Sequence, residues 1–212
     1  MLGANDGTVS TASLVLGVAA ASASSTAIVT AGIAGLMAGA LSMAAGEYVS
    51  VSSQRDSEEA DLRLEERELA GDPGGELREL ATIYERRGLT ADLASQVAIA
   101  LSKSGALAAH ARDELGLSEQ RRAHPLQAAW ASALAFSAGA ILPLVAIGIT
   151  PRSARAAVCV AVTLVALALL GHTGARLGGA PPMRATFRSL AWGAVAMAVT
   201  AGIGALVGTA TS

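Results

Sequence analysis

The chain alternates long uncharged stretches with one dense charged block. No Asp, Glu, Lys or Arg occurs from Gly7 to Gly46, from Ala123 to Pro151, from Ala156 to Ala175 or from Ser189 to Ser212. A helix that crosses a bilayer needs roughly 20 mostly apolar residues. The first run holds 40, enough for two helices, with "ASASST" (21–26) as a tight connection between them. Five membrane spans are predicted, over residues 7–22, 26–47, 126–148, 155–172 and 188–209. An Ala-rich soluble bundle is the competing reading. It would need helices with a polar face to show water, and "AWGAVAMAVTAGIGALVG" has none.

The charged block has a helical pattern of its own. From Glu47 to Ala70 the sequence is free of Gly and Pro, so the second span is expected to leave the bilayer and continue as helix. "GDPGG" (71–75) breaks it. A further helix over 76–87 is expected to stop at Gly88, a third is capped by Thr90, and a fourth, "ALAAHARDELG", ends at Gly116. In the second span Gly35 and Gly39 form a G-x-x-x-G pair that lets helix backbones approach closely. In the third, Pro143 frees a carbonyl and invites a kink. The expected fold is thus an all-α membrane protein. Residues 1–47 form spans 1 and 2, residues 48–124 a small helical domain, and residues 125–212 spans 3 to 5.

Composition supports two solvents. Apolar residues make up 52% and charged residues 15%, against roughly 25% charged in ordinary soluble domains. The segment 47–122 holds 16 of the 17 acids and 10 of the 15 bases and carries −6; the rest carries +4 from five arginines and Asp6. With five spans, 13 of the 15 Lys/Arg residues share the side of the acidic segment, which is therefore expected to be cytoplasmic. Tyr48, Trp130 and Trp192 fall at span ends on that same side, where amphipathic rings settle. The net acidic block argues against nucleic-acid binding. The single Cys159 excludes a disulfide framework. Without a G-x-x-x-x-G-K-[ST] loop, direct ATP drive is not expected, and no catalytic triad or resident cofactor is indicated. No signal peptide precedes the first span. Asp6 lies only five residues from Met1, so a short leading segment is expected ahead of it.

Ionisable groups within a membrane are costly and point to function. Asp6 opens the first span and Glu47 closes the second, with Met43 one turn before Glu47 on the same face. Each has a plainer reading: Asp6 as an N-cap over Gly7–Ser10, Glu47 as a marker of the water interface, Met43 as core filler. A thioether beside two carboxylates can also serve as a soft ligand for a borderline divalent metal. In the acidic segment, Glu65 and Glu68 are spaced i, i+3, as are Glu76 and Glu79, while His110 and Glu114 are spaced i, i+4. Each pair puts two donors on one helix face, as in di-metal carboxylate bundles. A solvated face laced with Glu–Arg contacts gives the same spacing, and spacing alone leaves both open.

The strings "GANDGTVSTASLVLGVAAAS", "AGIAGLMAGALSMAAGEYVSVSSQRD", "HARDELG" and "ALAFSAGAILPL" together resemble the vacuolar iron transporter family, over about Gly3 to Gly204. The resemblance implies a homodimer with five spans per protomer around a dimer-axis pathway. Divalent iron (Fe2+), often with manganese (Mn2+), leaves the cytosol in exchange for protons, and a cytoplasmic helical domain gathers the metal. On that resemblance Asp6 and Met43 match transport-pathway residues. Glu65, Glu68, Glu76, Glu79 and Glu114 match the glutamates of the metal-binding domain. Two departures stand out. Gly35 stands where some members carry an acid, with Glu47 three turns further on. His110 and Ala111 stand where members carry adjacent methionines.

The implied function is a divalent-metal transporter, not an enzyme, in which Asp6 and Glu47, with Met43 as a soft metal ligand, alternately hold metal and protons. Two rivals remain: a membrane-anchored metal-binding or storage protein without transport, and a channel or carrier for a small organic solute. Arginine outnumbers lysine 14 to 1, a bias that suggests a prokaryotic source by association, and with it the plasma membrane and a detoxifying export role.

Overall fold

The computed structural model describes residues 1–21, 23–117 and 123–211. Among them are seven helices and no strand: α1 (Leu2–Ala20), α2 (Ser25–Gly71), α3 (Pro73–Arg86), α4 (Ala91–Asp113), α5 (Pro125–Ile149), α6 (Arg155–Leu177) and α7 (Pro182–Thr211). Four of these, α2, α5, α6 and α7, are long and apolar enough to cross a membrane. The fifth expected span corresponds to α1, which lies outside that set; Asn5, Asp6 and a series of Ser and Thr residues dilute its apolar character.

Two compact units divide the chain, Met1–Tyr48 with Leu126–Ser212, and Val49–Pro125. In the first, α1 is enclosed by its neighbours. Ala12 and Val15 have no exposure and join Leu16, Ile28, Ile147, Cys159 and Met197 in one core. Close approach of backbones is the organising device. A Cβ on Gly7 would land on the Phe136 carbonyl of α5, and one on Gly139 would land on the Ala4 carbonyl of α1. Only glycine at both positions permits this crossing, the contact type that drives helix association where lipid removes the hydrophobic force. The Thr8 hydroxyl adds polarity without charge, lying 2.8 Å from the Ala4 carbonyl and 3.2 Å from that of Gly139 across the crossing.

The outer surface of this unit is inverted relative to a soluble protein. Ile33 and Leu41 on α2, Leu134 and Ile149 on α5, Leu169 on α6, and Trp192 and Leu206 on α7 are all exposed. Apolar exposure on every side matches a lipid solvent, and with the four long apolar helices it identifies an integral membrane protein.

Several expected boundaries shift. The first helix starts at Leu2, so Asp6 lies inside it and is not an N-cap; Met1 occupies that place. The Ser10 hydroxyl instead donates to the Asp6 main-chain carbonyl at 2.6 Å. The G-x-x-x-G pair receives side chains rather than a bare helix: Gly35 makes room for Leu14 and Gly39 for the Phe136 ring. Helix α5 continues through Pro143.

In the second unit α2 ends at Gly71. Asp72 then caps α3, its carboxylate accepting from the Gly75 amide at 2.8 Å with Pro73 in the first turn. Gly88 (φ +100°) and Gly116 (φ +68°) stop helices where expected. The expected third and fourth helices meet where expected, at Gly105, whose φ of 151°, one that L side chains rarely adopt, divides α4 into two helical segments. Leu80, Ala98 and Ala109 form the core of this unit, with Leu77, Ala81, Tyr84 and Leu101 packed around it.

Candidate metal centre

Three helices of the second unit bring carboxylates to one imidazole. His110, from the last turn of α4, has no exposure, and Glu65, from α2, has 2%. Nδ1 of His110 donates to Glu114 Oε2 at 2.9 Å. It also lies 3.0 Å from Glu65 Oε1 and 3.8 Å from Glu76 Oε2. Glu65 Oε1 is nonetheless buried without a hydrogen bond, and so is His110 Nε2. Burial of an unpartnered carboxylate oxygen is unfavourable, and a cation among these groups would remove that cost.

The spacing suits one. Donor atoms of Glu65, Glu76 and His110 lie within 4.8 Å of one another. Around a first-row divalent ion with bonds of about 2.1 Å, donors stand about 3–4 Å apart, so a small contraction would close the site. Burial pushes the Glu65 carboxyl above its ordinary value; the imidazole pulls it down, while Glu114, Glu76 and Glu68 push it further up. Burial likewise raises Glu76, reinforced by Glu79 and opposed by His110. Three oxygen donors and one imidazole form a hard-to-borderline set suited to Fe(II), Mn(II) or Zn(II) rather than Cu(I).

The six residues singled out in this segment do not take equivalent places. Glu65, Glu76, His110 and Glu114 converge. Glu68 and Glu79 are exposed, and they act on the cluster through charge. A residue that spacing did not flag stands beside it. Asp113 is held by Arg87, Arg112 and Tyr84. Burial pushes its carboxyl up, but the hydrogen bonds from Arg112, Arg87 and Tyr84 outweigh this and hold it well below the ordinary carboxylate range. Arg112 is its chain neighbour, but Arg87 and Tyr84 lie 26 and 29 residues away, beyond any helical periodicity.

In the membrane unit, a cavity of about 240 Å³ is lined by Asp6, Ser10 and Thr11 of α1, Ser42 and Met43 of α2, and Phe136 of α5, with Gly35 at its wall. Asp6 and Met43 thus share one cavity. Glu47 is exposed and is not among its lining residues.

The pattern of the VIT family matches residues 1–205. The chain belongs to the VIT family. Among its VIT-family relatives, a protein of Acanthamoeba castellanii named "Vacuolar iron transporter" is 44% identical over 207 residues, covering 97% of this chain and 76% of that protein. "Vacuolar iron transporter homolog 5" of Oryza sativa subsp. japonica is 43% identical, covering 96% of this chain and 76% of that protein. "Vacuolar iron transporter homolog 2" of Arabidopsis thaliana is 38% identical, covering 98% and 82% respectively.

Proposed function

We propose that this VIT-family chain transports Fe(II), with Mn(II) as a second cargo, out of the cytosol in exchange for protons. The protein works as a homodimer of five-span protomers, with α1 as the additional span. Residues 48–124 form a cytoplasmic domain that gathers metal, between spans in residues 1–47 and 125–212. The convergence of Glu65, Glu76 and Glu114 on a buried His110 carries this reading, in a chain whose relatives are named iron transporters.

The chemistry links metal to protons. Carboxylates whose burial and mutual repulsion favour the protonated form release protons when a cation takes their place. Glu65, Glu76, His110 and Glu114 hold the metal on the cytoplasmic side, and Glu68 and Glu79 concentrate it there. Asp6 and Met43 line the membrane cavity; the Asp6 carboxylate accepts metal and proton in turn, the Met43 thioether offers a soft ligand to the metal alone, and Glu47 stands at the mouth of the path. The plasma membrane of a prokaryotic cell is the setting, with metal detoxification as the role.

Proteoliposomes holding a metal-quenched dye and a pH dye test this. The parent chain is expected to accumulate Fe(II) or Mn(II) with counterflow of protons. Asp6→Ala and Met43→Ala should each lose most of that coupled flux. Unchanged flux in both variants would remove these residues from the pathway. Metal that binds the protein but never reaches the lumen would instead establish a membrane-anchored metal store.

A further inference from the structure

Asp113 lies between two candidate ligands, three residues after His110 and one before Glu114, yet it has no oxygen free for a metal. Oδ1 accepts from Arg87 Nη1 at 2.7 Å, and Oδ2 accepts from the Tyr84 hydroxyl at 2.8 Å and from Arg112 Nη2 at 2.6 Å. Arg87 also donates through Nη2 to the Asp113 main-chain carbonyl at 3.0 Å, so one guanidinium grips side chain and backbone together. The same guanidinium lies 5.0 Å from the centre of the Tyr84 ring.

This is unlike an ordinary surface ion pair, which contributes little. The Asp113 side chain is only 7% exposed, the hydrogen bonds are charge-assisted and short, and they join the end of α3 to the last turn of α4. Helix ends fray and leave carbonyls unpaired. Glu114 is the C-cap residue of α4, and His110 sits one turn before it. The two arginines also balance the Asp113 charge, so the clamp adds no net negative charge beside the carboxylates.

We propose that Asp113 is a positioning residue for metal capture: clamped by Arg87, Tyr84 and Arg112, it fixes the last turn of α4 so that His110 and Glu114 meet Glu65 and Glu76. This rests on the metal-binding reading of that cluster.

The test uses the full chain in detergent, with Mn(II) and Co(II) as probes. Asp113→Asn keeps the size of the residue and weakens the grip of the arginines. It is expected to lower Mn(II) affinity about tenfold, the lower end of what loss of a supporting residue costs a metal site. It should also alter the visible absorption of bound Co(II), which reports ligand geometry in the folded protein. Tyr84→Phe removes one bond and should act in the same direction, more weakly. A purely structural role would lower the unfolding midpoint while leaving affinity and the Co(II) spectrum at parental values, and that result overturns the proposal. If Asp113→Asn does not accumulate in folded form, Tyr84→Phe decides by the same two readouts. A parent chain that binds neither metal would overturn the metal reading and this proposal together; parental behaviour in the variants overturns the proposal alone.

Discussion

Replacing His110 by Gln isolates the electrostatics of the cluster, because Gln roughly keeps the volume and removes the imidazole. Glu65 and Glu76 then face each other with ligand oxygens within 4.8 Å. At an effective dielectric of about 20, two unit charges at that separation repel by about 3.5 kcal/mol. In the parent, the imidazole opposes that repulsion at both carboxylates. The sign with pH follows. Both carboxyls sit above their ordinary value, so the repulsion is fully present only above those raised values and fades as falling pH protonates them. That repulsion is common to parent and variant, and His110→Gln removes only the attraction that offsets it. The loss is therefore capped at about 3 kcal/mol at about pH 7, which for a unit of this size corresponds to a drop of at most about 10–20 °C in unfolding midpoint. At about pH 5 the loss should shrink markedly. Circular dichroism of the detergent-solubilised chain, melted at both pH values, measures it. A midpoint equal to the parent's at the higher pH would mean that the carboxylates do not converge as described, and a loss independent of pH would assign the effect to packing.

Metal binding should carry the same proton linkage. Because burial holds Glu65 and Glu76 above their ordinary 4.5, Mn(II) affinity should fall as pH drops through a range above that value, with protons released on binding. Titration calorimetry in buffers of different ionisation heat counts those protons; none released at any pH would contradict the shift. In the membrane unit, Gly7→Ala places a methyl against the Phe136 backbone and should cost about 1–3 kcal/mol through overpacking. Gly148→Ala, where nothing lies within 4 Å of the new methyl, is the control. Equal thermal midpoints for the two in detergent would show that the α1–α5 crossing is looser than described.

Absence of charge is the most legible feature of this sequence, because a lipid solvent forbids it almost everywhere; the helices α5, α6 and α7 could be read from that alone. Helix breaks at 71–75, Gly88 and Gly116 were legible because backbone chemistry there is local. The start of α1 was not. Leu2–Asn5 carry no capping signal, and Asp6 drew attention as a cap although the helix is held open further upstream by packing against α5 and α6. Within the acidic segment, i, i+3 spacing identifies a shared face but not which member turns inward: Glu65 is buried and Glu68 exposed, a choice made by α3 and α4. His110 and Glu114 were legible as a pair because one helical turn joins them. The Asp113 clamp was not, since two of its three partners, Tyr84 and Arg87, lie at the end of another helix.

The enclosure of α1 bears on how the protein is made. It carries more polar groups than its neighbours, and lies outside the set of helices apolar enough to cross a membrane. Yet α5, α6 and α7, which cover it, leave the ribosome more than a hundred residues later. Polar segments partition poorly into lipid on their own. Full burial of α1 therefore waits on synthesis of the second half of the chain, and an early stop in translation would leave it uncovered.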